Sequence, residues 1–207
     1  MKMKKVVLFI LALGLFVGAG YAQEKIKTVE KGDFRINPYV TLGWYDYGYS
    51  LDVVNIFPPV GASIELATSN YFSFGVEADY GFRRYRDLFF TTSSYEYDYT
   101  YKALRFRANV HYLDWLKDAV DDNLFGFHQL DLDLYAGIAS GIGVVEVKER
   151  WNDGLFSQDH ERKTFSSSWQ WGYYLGARYY FNNNLGAFLE GGRNALGWAK
   201  LGFTLKI

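Results

Sequence analysis

The residues from Ser166 to Phe181, SSSWQWGYYLGARYYF, decide the architecture. Trp169, Trp171, Tyr173, Leu175, Ala177, Tyr179 and Phe181 fall on one parity, and Gln170, Gly172, Tyr174, Gly176, Arg178 and Tyr180 on the other. Successive side chains of a β-strand point to opposite faces, so one face is aromatic and aliphatic and the other polar and glycine-rich. The run exceeds the mean strand of about 5–6 residues but suits a transmembrane strand of roughly 9–11 residues with its two ends. Aromatic rings gather at both ends, Trp169 and Trp171 at one and Tyr179 and Phe181 at the other, as at two lipid–water interfaces. The segment reads as one stave of a membrane barrel.

The same alternation recurs along the chain. It begins at Asn37–Tyr47, with Val40, Leu42 and Trp44 on one face, and resumes at Val60–Thr68 with Val60, Ala62, Ile64 and Leu66 outward. Tyr71–Arg86 sets Phe72, Phe74, Val76, Ala78, Tyr80 and Phe82 against Ser73, Gly75, Glu77, Asp79, Gly81 and Arg83. Tyr99–Tyr112 sets Leu104, Phe106, Ala108 and Val110 against Arg105, Arg107, Asn109 and His111. Gln129–Lys148 places Leu130, Leu132, Leu134, Ala136, Ile138 and Ile142 outward, and a change of parity near Val144–Val145 predicts a bulge. Leu185–Arg193 and Gly197–Ile207 form a last hairpin. These segments amount to eight staves, an even number that puts both termini on the periplasmic side.

The polar parity excludes a soluble barrel that keeps its apolar residues inside. It carries Glu65, Glu77, Asp79, Arg105, Arg107, Asp131, Asp133, Arg178, Glu190 and Lys200. A charge at the mid-plane of a bilayer costs a few kcal/mol, so these groups must face the lumen and pair there. An eight-stranded lumen is only wide enough for side chains. Ion pairs of Asp131 and Asp133 with Arg105 and Arg107 are the expected filling, rather than paired catalytic carboxylates or a cation site.

Residues 1–22 read as a secretory signal peptide: Lys2, Lys4 and Lys5, then the apolar run Val6–Val17, then Gly20-Tyr21-Ala22 before Gln23. Residues 23–33 read as a flexible tail and residues 34–207 as the barrel. Without the three leader lysines the basic count falls from 22 to 19 against 23 acids, a balance of −4 that carries no nucleic-acid signature. The absence of cysteine removes disulfides, thiolate metal sites and thiol nucleophiles. Aromatic residues make up 20% of the chain, and no run beyond the leader approaches the 18 apolar residues of a membrane helix.

Between the staves, Tyr49–Pro59, Asp87–Asp98, Glu149–Lys163 and the short Asn194–Leu196 read as external loops. Pro58-Pro59 cannot sit in a central strand. Ser69–Asn70, Leu113–His128 and Asn182–Asn184 read as periplasmic turns. Phe89, Phe90, Tyr95, Arg150, Trp151 and His160 are the candidate external binding residues, since binding groups favour loops on rigid scaffolds. His111 is expected in the polar lumen and His128 in a periplasmic connection. Ser157, Asp159, His160 and Glu161 have the residue types of a triad but, on a loop, nothing rigid to fix them.

Together the leader, the linked pair LGARYYFNNNLGAFLEGG (Leu175–Gly192), the stave LDLDLYAGIASGIG (Leu130–Gly143) and the terminal LGFTLKI (Leu201–Ile207) resemble the small outer-membrane β-barrel proteins of Gram-negative bacteria, of the OmpA-transmembrane or OmpX-like type. The resemblance implies an all-β, eight-stranded antiparallel up-and-down barrel in the bacterial outer membrane. It also implies a monomer in contact with membrane lipid, lipopolysaccharide and the barrel-insertion machinery, with no cofactor and no metal. The chain ends on Ile207 rather than the commoner aromatic residue. The expected role is structural or one of surface interaction through external loops, without enzymatic activity and with an unnamed external ligand. The alternatives are a lipid A-modifying enzyme and a narrow pore.

Overall fold

The computed structural model describes residues 28–44, 52–56, 58–90, 93–113, 131–153, 159–194 and 196–207. The leader, residues 23–27 of the tail and all but the first residue of the Leu113–His128 connection, including His128, lie outside the described residues.

Nine strands follow one another: β1 (Phe34–Trp44), β2 (Asp52–Ile56), β3 (Val60–Ala67), β4 (Phe72–Phe90), β5 (Ser93–His111), β6 (Leu132–Asp153), β7 (Asp159–Tyr180), β8 (Leu185–Arg193) and β9 (Gly197–Lys206). Antiparallel pairing runs β1–β3–β4–β5–β6–β7–β8–β9 and returns from β9 to β1, which closes the sheet. β2 pairs only with the far end of β4, Asp52 opposite Arg86 and Ile56 opposite Arg83, and β3 continues along the same strand from Val60 opposite Tyr80. β2 and β3 are therefore two halves of one stave, and the barrel has eight.

The expected loop at Tyr49–Pro59 thus contains a strand, Asp52–Ile56. The prolines cannot donate to a ladder, so they form the break itself. Pro59 still offers its carbonyl, which accepts from the Thr41 N–H at 2.7 Å.

The staves are unequal. β4 and β5 have 19 residues each and β6 and β7 have 22, about twice what a bilayer crossing needs, roughly 9–11 residues. The surplus projects as a four-stranded sheet from one end of the barrel. Asp87–Asp98 and Glu149–Lys163, expected as loops, are accordingly mostly strand, with β4 reaching Phe90, β5 starting at Ser93, β6 reaching Asp153 and β7 starting at Asp159. The cross-strand ladders continue unbroken through most of these segments, and Tyr95, Tyr97, Tyr99 and Tyr101 are good strand formers.

Polarity divides the molecule at the rim of this sheet. Within the barrel the outward face is apolar: Phe106, Ile138, Trp169 and Leu175 are each more than 60% exposed, whereas Arg105, Glu77, Arg178 and Glu190 are within 1% of complete burial. Beyond the rim the outward row becomes Arg84, Asp98, Lys148 and Lys163, opposite one another in register. The inward face there gains Tyr101 opposite Val145 and Tyr99 opposite Val147. This exchange explains the parity change at Val144–Val145. The register runs through without a bulge, and the valines change company, not side.

Residues 28–33 are not loose, contrary to the tail expected from composition. Thr28 and Val29 are buried at the short-turn end of the barrel. The Gly32 N–H donates to the Ala67 carbonyl at 2.8 Å and the Lys31 N–H to Asn70 Oδ1 at 3.2 Å. Arg35, fully buried, donates to the Thr28 carbonyl at 3.3 Å and pairs with Asp33 at 3.2 Å.

Candidate functional site

Inward-facing positions of eight staves converge on one narrow space, so the polar parity becomes a charged core. Among the described residues, the buried cations Arg35, Arg105, Arg107, Arg178 and Lys200 share it with the buried carboxylates Glu65, Glu77, Asp79, Asp133 and Glu190, with Arg83 buried further toward the projecting sheet. Burying a charge is tolerable only when it is paired and hydrogen-bonded.

Arg107 is the centre of the network. Its guanidinium reaches Glu190 at 2.6 Å, Glu77 at 3.3 Å and Glu65 at 3.4 Å, and its Cζ lies 4.8 Å from the centre of the Tyr174 ring. Lys200 Nζ sits 2.8 Å from Glu77 and 4.3 Å from the centre of the Tyr39 ring. Arg105 pairs with Glu77 and, at 3.5 Å, with Asp79, which accepts from the Tyr39 hydroxyl at 2.8 Å. The Tyr135 hydroxyl donates to Glu190 at 3.0 Å.

Toward the short-turn end, Arg178 bridges Glu65 at 3.3 Å and Asp133 at 3.2 Å. Asn37 donates to Glu65 at 2.8 Å and receives the Thr204 hydroxyl.

Two of the expected pairings are different. Asp133 joins Arg178 and His111, not Arg105 or Arg107, because the ladder sets Asp133 opposite Arg178 and sets Arg105 and Arg107 opposite Gly141 and Ala139. Asp131 is only half-buried, just before β6 begins, and its carbonyl accepts from the Tyr180 N–H at 2.9 Å.

Sequence reasoning placed His111 in the lumen but missed the chain of partners around it. Ser73 Oγ lies 2.9 Å from His111 Nε2, and His111 Nδ1 lies 2.8 Å from Asp133. With Nδ1–H donating to the carboxylate, Nε2 accepts from the serine hydroxyl. Ser73 also receives a hydrogen bond from Asn109 at 3.1 Å. These are the atoms of a nucleophile, base and orienting acid, but Ser73 is completely buried and faces packed side chains, so the chain serves cohesion. The inward tyrosines carried a readable signal. A Cβ at Gly137 would stand 2.5 Å from the Tyr174 ring, and one at Gly176 would stand 2.3 Å from the Tyr135 ring. Each of these glycines on the polar parity makes room for a neighbour's tyrosine.

The projecting sheet splits the expected external cluster between its faces. Arg150 lies outward, 2.7 Å from Asp98 and 3.7 Å from Glu96. Trp151 and His160 lie inward, stacked at 5.2 Å with 17° between their planes. The side chains of Phe89, Phe90 and Tyr95 lie outside the described residues, although their backbones belong to β4 and β5. Asp159, His160 and Glu161 are strand, not loop, so His160 and Glu161 point to opposite faces; Glu161 pairs with Lys148 at 2.7 Å and with Lys163 at 3.5 Å.

Arg84 grips Asp98 through two nitrogens, at 2.5 and 2.9 Å. Burial pushes the Asp98 carboxyl up. The Arg84 hydrogen bonds and the charges of Arg84, Arg150 and Lys148 more than reverse this and hold it below the usual carboxylate range.

No protein-family profile matches the chain, and no curated protein sequence does. Solved structures do. The attachment invasion locus protein Ail of Yersinia pestis is 17% identical, with 86% of this chain and 96% of that one covered at a TM-score of 0.41. The N-terminal β-barrel domain of Pseudomonas aeruginosa OprF is 16% identical, covering 86% and 100% at 0.43. The outer membrane protein OprG from the same bacterium is 11% identical, covering 88% and 99% at 0.41.

Proposed function

We propose that the chain is a monomeric outer-membrane barrel with a non-conducting lumen, acting at the cell surface through the sheet that projects from its long-hairpin end. The observation that carries this reading is the open edge of β7. β8 pairs with β7 only from Tyr173 to Tyr180, while β6 pairs with it along its whole length. Residues 159–172 therefore have no strand beside them on the β8 side among the described residues, and residues 161–169 are exposed. The opposite edge of the sheet is partly covered by β2. An uncovered edge offers backbone donors and acceptors to an extended segment of another protein. Charged residues guard one part of it, Glu161 to Lys163, but Thr164 to Ser168 carry no charge.

Short turns and both termini lie on the periplasmic side in this reading, with the projecting sheet outside. The lumen supports a structural role, since ion pairs and tyrosine rings fill the space a solute would need. The test replaces residues 146–165 by a short turn. The trimmed barrel should keep its unboiled, fast-migrating form on gels while cells carrying it lose adhesion to a host-cell layer. Solute flux through liposomes or altered lipid A in a deletion strain would instead favour the pore or the enzyme.

A further inference from the structure

Among the described side chains, the outward cations of the projecting sheet are claimed by carboxylates. Lys102 pairs with Glu146 at 3.8 Å, Lys148 and Lys163 share Glu161, and Arg84 and Arg150 share Asp98. Arg193 differs. It is the last residue of β8, it is exposed, and it makes no ion pair with any described residue. Its guanidinium carbon lies 4.7 Å from the centre of the Trp171 ring, a lipid-facing indole that is 53% exposed.

From these observations we propose that Arg193, held on Trp171, is a docking site for the phosphate of an anionic glycolipid in the leaflet around the hairpin end. The inference rests on the reading of the chain as an outer-membrane barrel. β8 stops where its neighbour β7 continues outward, so Arg193 marks the height at which the lipid-facing wall ends on this side. Exposed Trp169 lies on the same outward face of β7 as Trp171, and indoles mark the boundary between hydrocarbon and headgroups.

A free arginine at such a boundary would extend its side chain into water. This one lies against an indole, which fixes the plane of the guanidinium while leaving N–H groups at its edge. A planar fork of donors matches two oxygens of a phosphate, a geometry that lysine does not provide. A soluble protein could not bring a carboxylate to this level without displacing lipid. The phosphate of a lipid is already there.

The test uses the full mature chain folded into phosphatidylcholine vesicles containing bis-phosphorylated lipid A, the same lipid A without phosphates, or phosphatidylglycerol. Lipid retained per barrel after mild detergent extraction is counted by mass spectrometry for wild type, Arg193→Gln, Arg193→Lys and Trp171→Leu. Phosphorylated lipid A should be retained about tenfold less by Arg193→Gln, given the strength of charge-assisted hydrogen bonds, with Arg193→Lys and Trp171→Leu in between. The dephosphorylated lipid should not discriminate between the proteins. Equal retention by wild type and Arg193→Gln overturns the site. So does wild-type retention of phosphatidylglycerol equal to that of lipid A, which would reduce the effect to surface charge. Full release of lipid A by millimolar inorganic phosphate would assign the pocket to free phosphate and overturn the lipid. Failure of the wild type to insert as a heat-modifiable barrel would refute the membrane reading itself, a separate and visible result.

Discussion

Arg107→Ala is the sharpest test of the charged core. The substitution removes the group that touches three buried carboxylates, at 2.6 Å (Glu190), 3.3 Å (Glu77) and 3.4 Å (Glu65), together with a 3.2 Å hydrogen bond to Ser63. Breaking a buried pair from one side costs about 3–5 kcal/mol, because the partner is left charged without compensation. Lys200 still holds Glu77 and Arg178 still holds Glu65, so the loss falls most heavily on Glu190, whose other cation is Lys200 at 3.9 Å. With a denaturant slope of roughly 2 kcal/mol per molar urea, the unfolding midpoint should fall by about 1.5–2.5 M. The assay is urea unfolding of the barrel in detergent micelles, followed by the loss of the fast-migrating form on unboiled gels. Arg105→Ala should shift the midpoint less, since Lys200 continues to neutralise Glu77. Arg107→Ala combined with Glu190→Gln should recover part of the loss. An unchanged midpoint for Arg107→Ala would refute the reasoning and show that water reaches and screens these carboxylates.

Four other outcomes are expected. Because the folded Asp98 carboxyl lies below its unfolded value near 3.9, its contribution is complete above the unfolded value and is lost as pH falls through the folded one. Amide protection factors, taken against intrinsic rates, in the outer halves of β4, β5 and β6 should therefore fall below about pH 4, and Asp98→Asn should abolish that fall. Gly176→Val must displace the Tyr135 ring and should destabilise the barrel by about 1–3 kcal/mol. Gly191→Ala, where nothing lies within 4 Å of the added carbon, should leave the urea midpoint where it was. An epitope inserted between Asp153 and Asp159 should bind antibody on intact cells. One inserted at residues 181–184 should bind only after permeabilisation, and the reverse pattern would invert the barrel.

The barrel was legible where two opposite environments act on alternate residues. Phe72 to Phe82 could only be lipid-facing with Glu77 and Asp79 between them, and Leu130 to Ile142 repeats the pattern on another stave. The projecting sheet escaped because the periodic signal changes meaning at the rim. In Tyr95 to Lys102, tyrosines alternate with Glu96, Asp98 and Lys102, a pattern that no lipid-facing stave shows and that resembles a polar loop. Strand length outside the bilayer is decided by hydrogen bonds to neighbours, which a single segment does not reveal. Partners within the lumen were hidden for a related reason. Parity assigns Asp133 to the inside, but only the register of three staves decides that it meets Arg178 and His111. The packed strap at Thr28 and Val29 carries no periodicity and is fixed by its contacts with β1, β3 and the turn after β3.

The row Arg84–Asp98–Lys148–Lys163, lying across four strands just beyond the apolar wall, acts as a depth stop. Sliding the barrel toward its short-turn end by one pleat, two residues or roughly 7 Å, keeps every side chain on its own face and so escapes any penalty on face pattern. It would, however, draw a ring of charges into hydrocarbon while lifting apolar residues at the short-turn end into water. Sliding it outward would expose Phe82. Alternation along the strands tells the chain which way is inside, and these outward charges, with Lys102 and Glu146 nearer the barrel, tell it how far in to go.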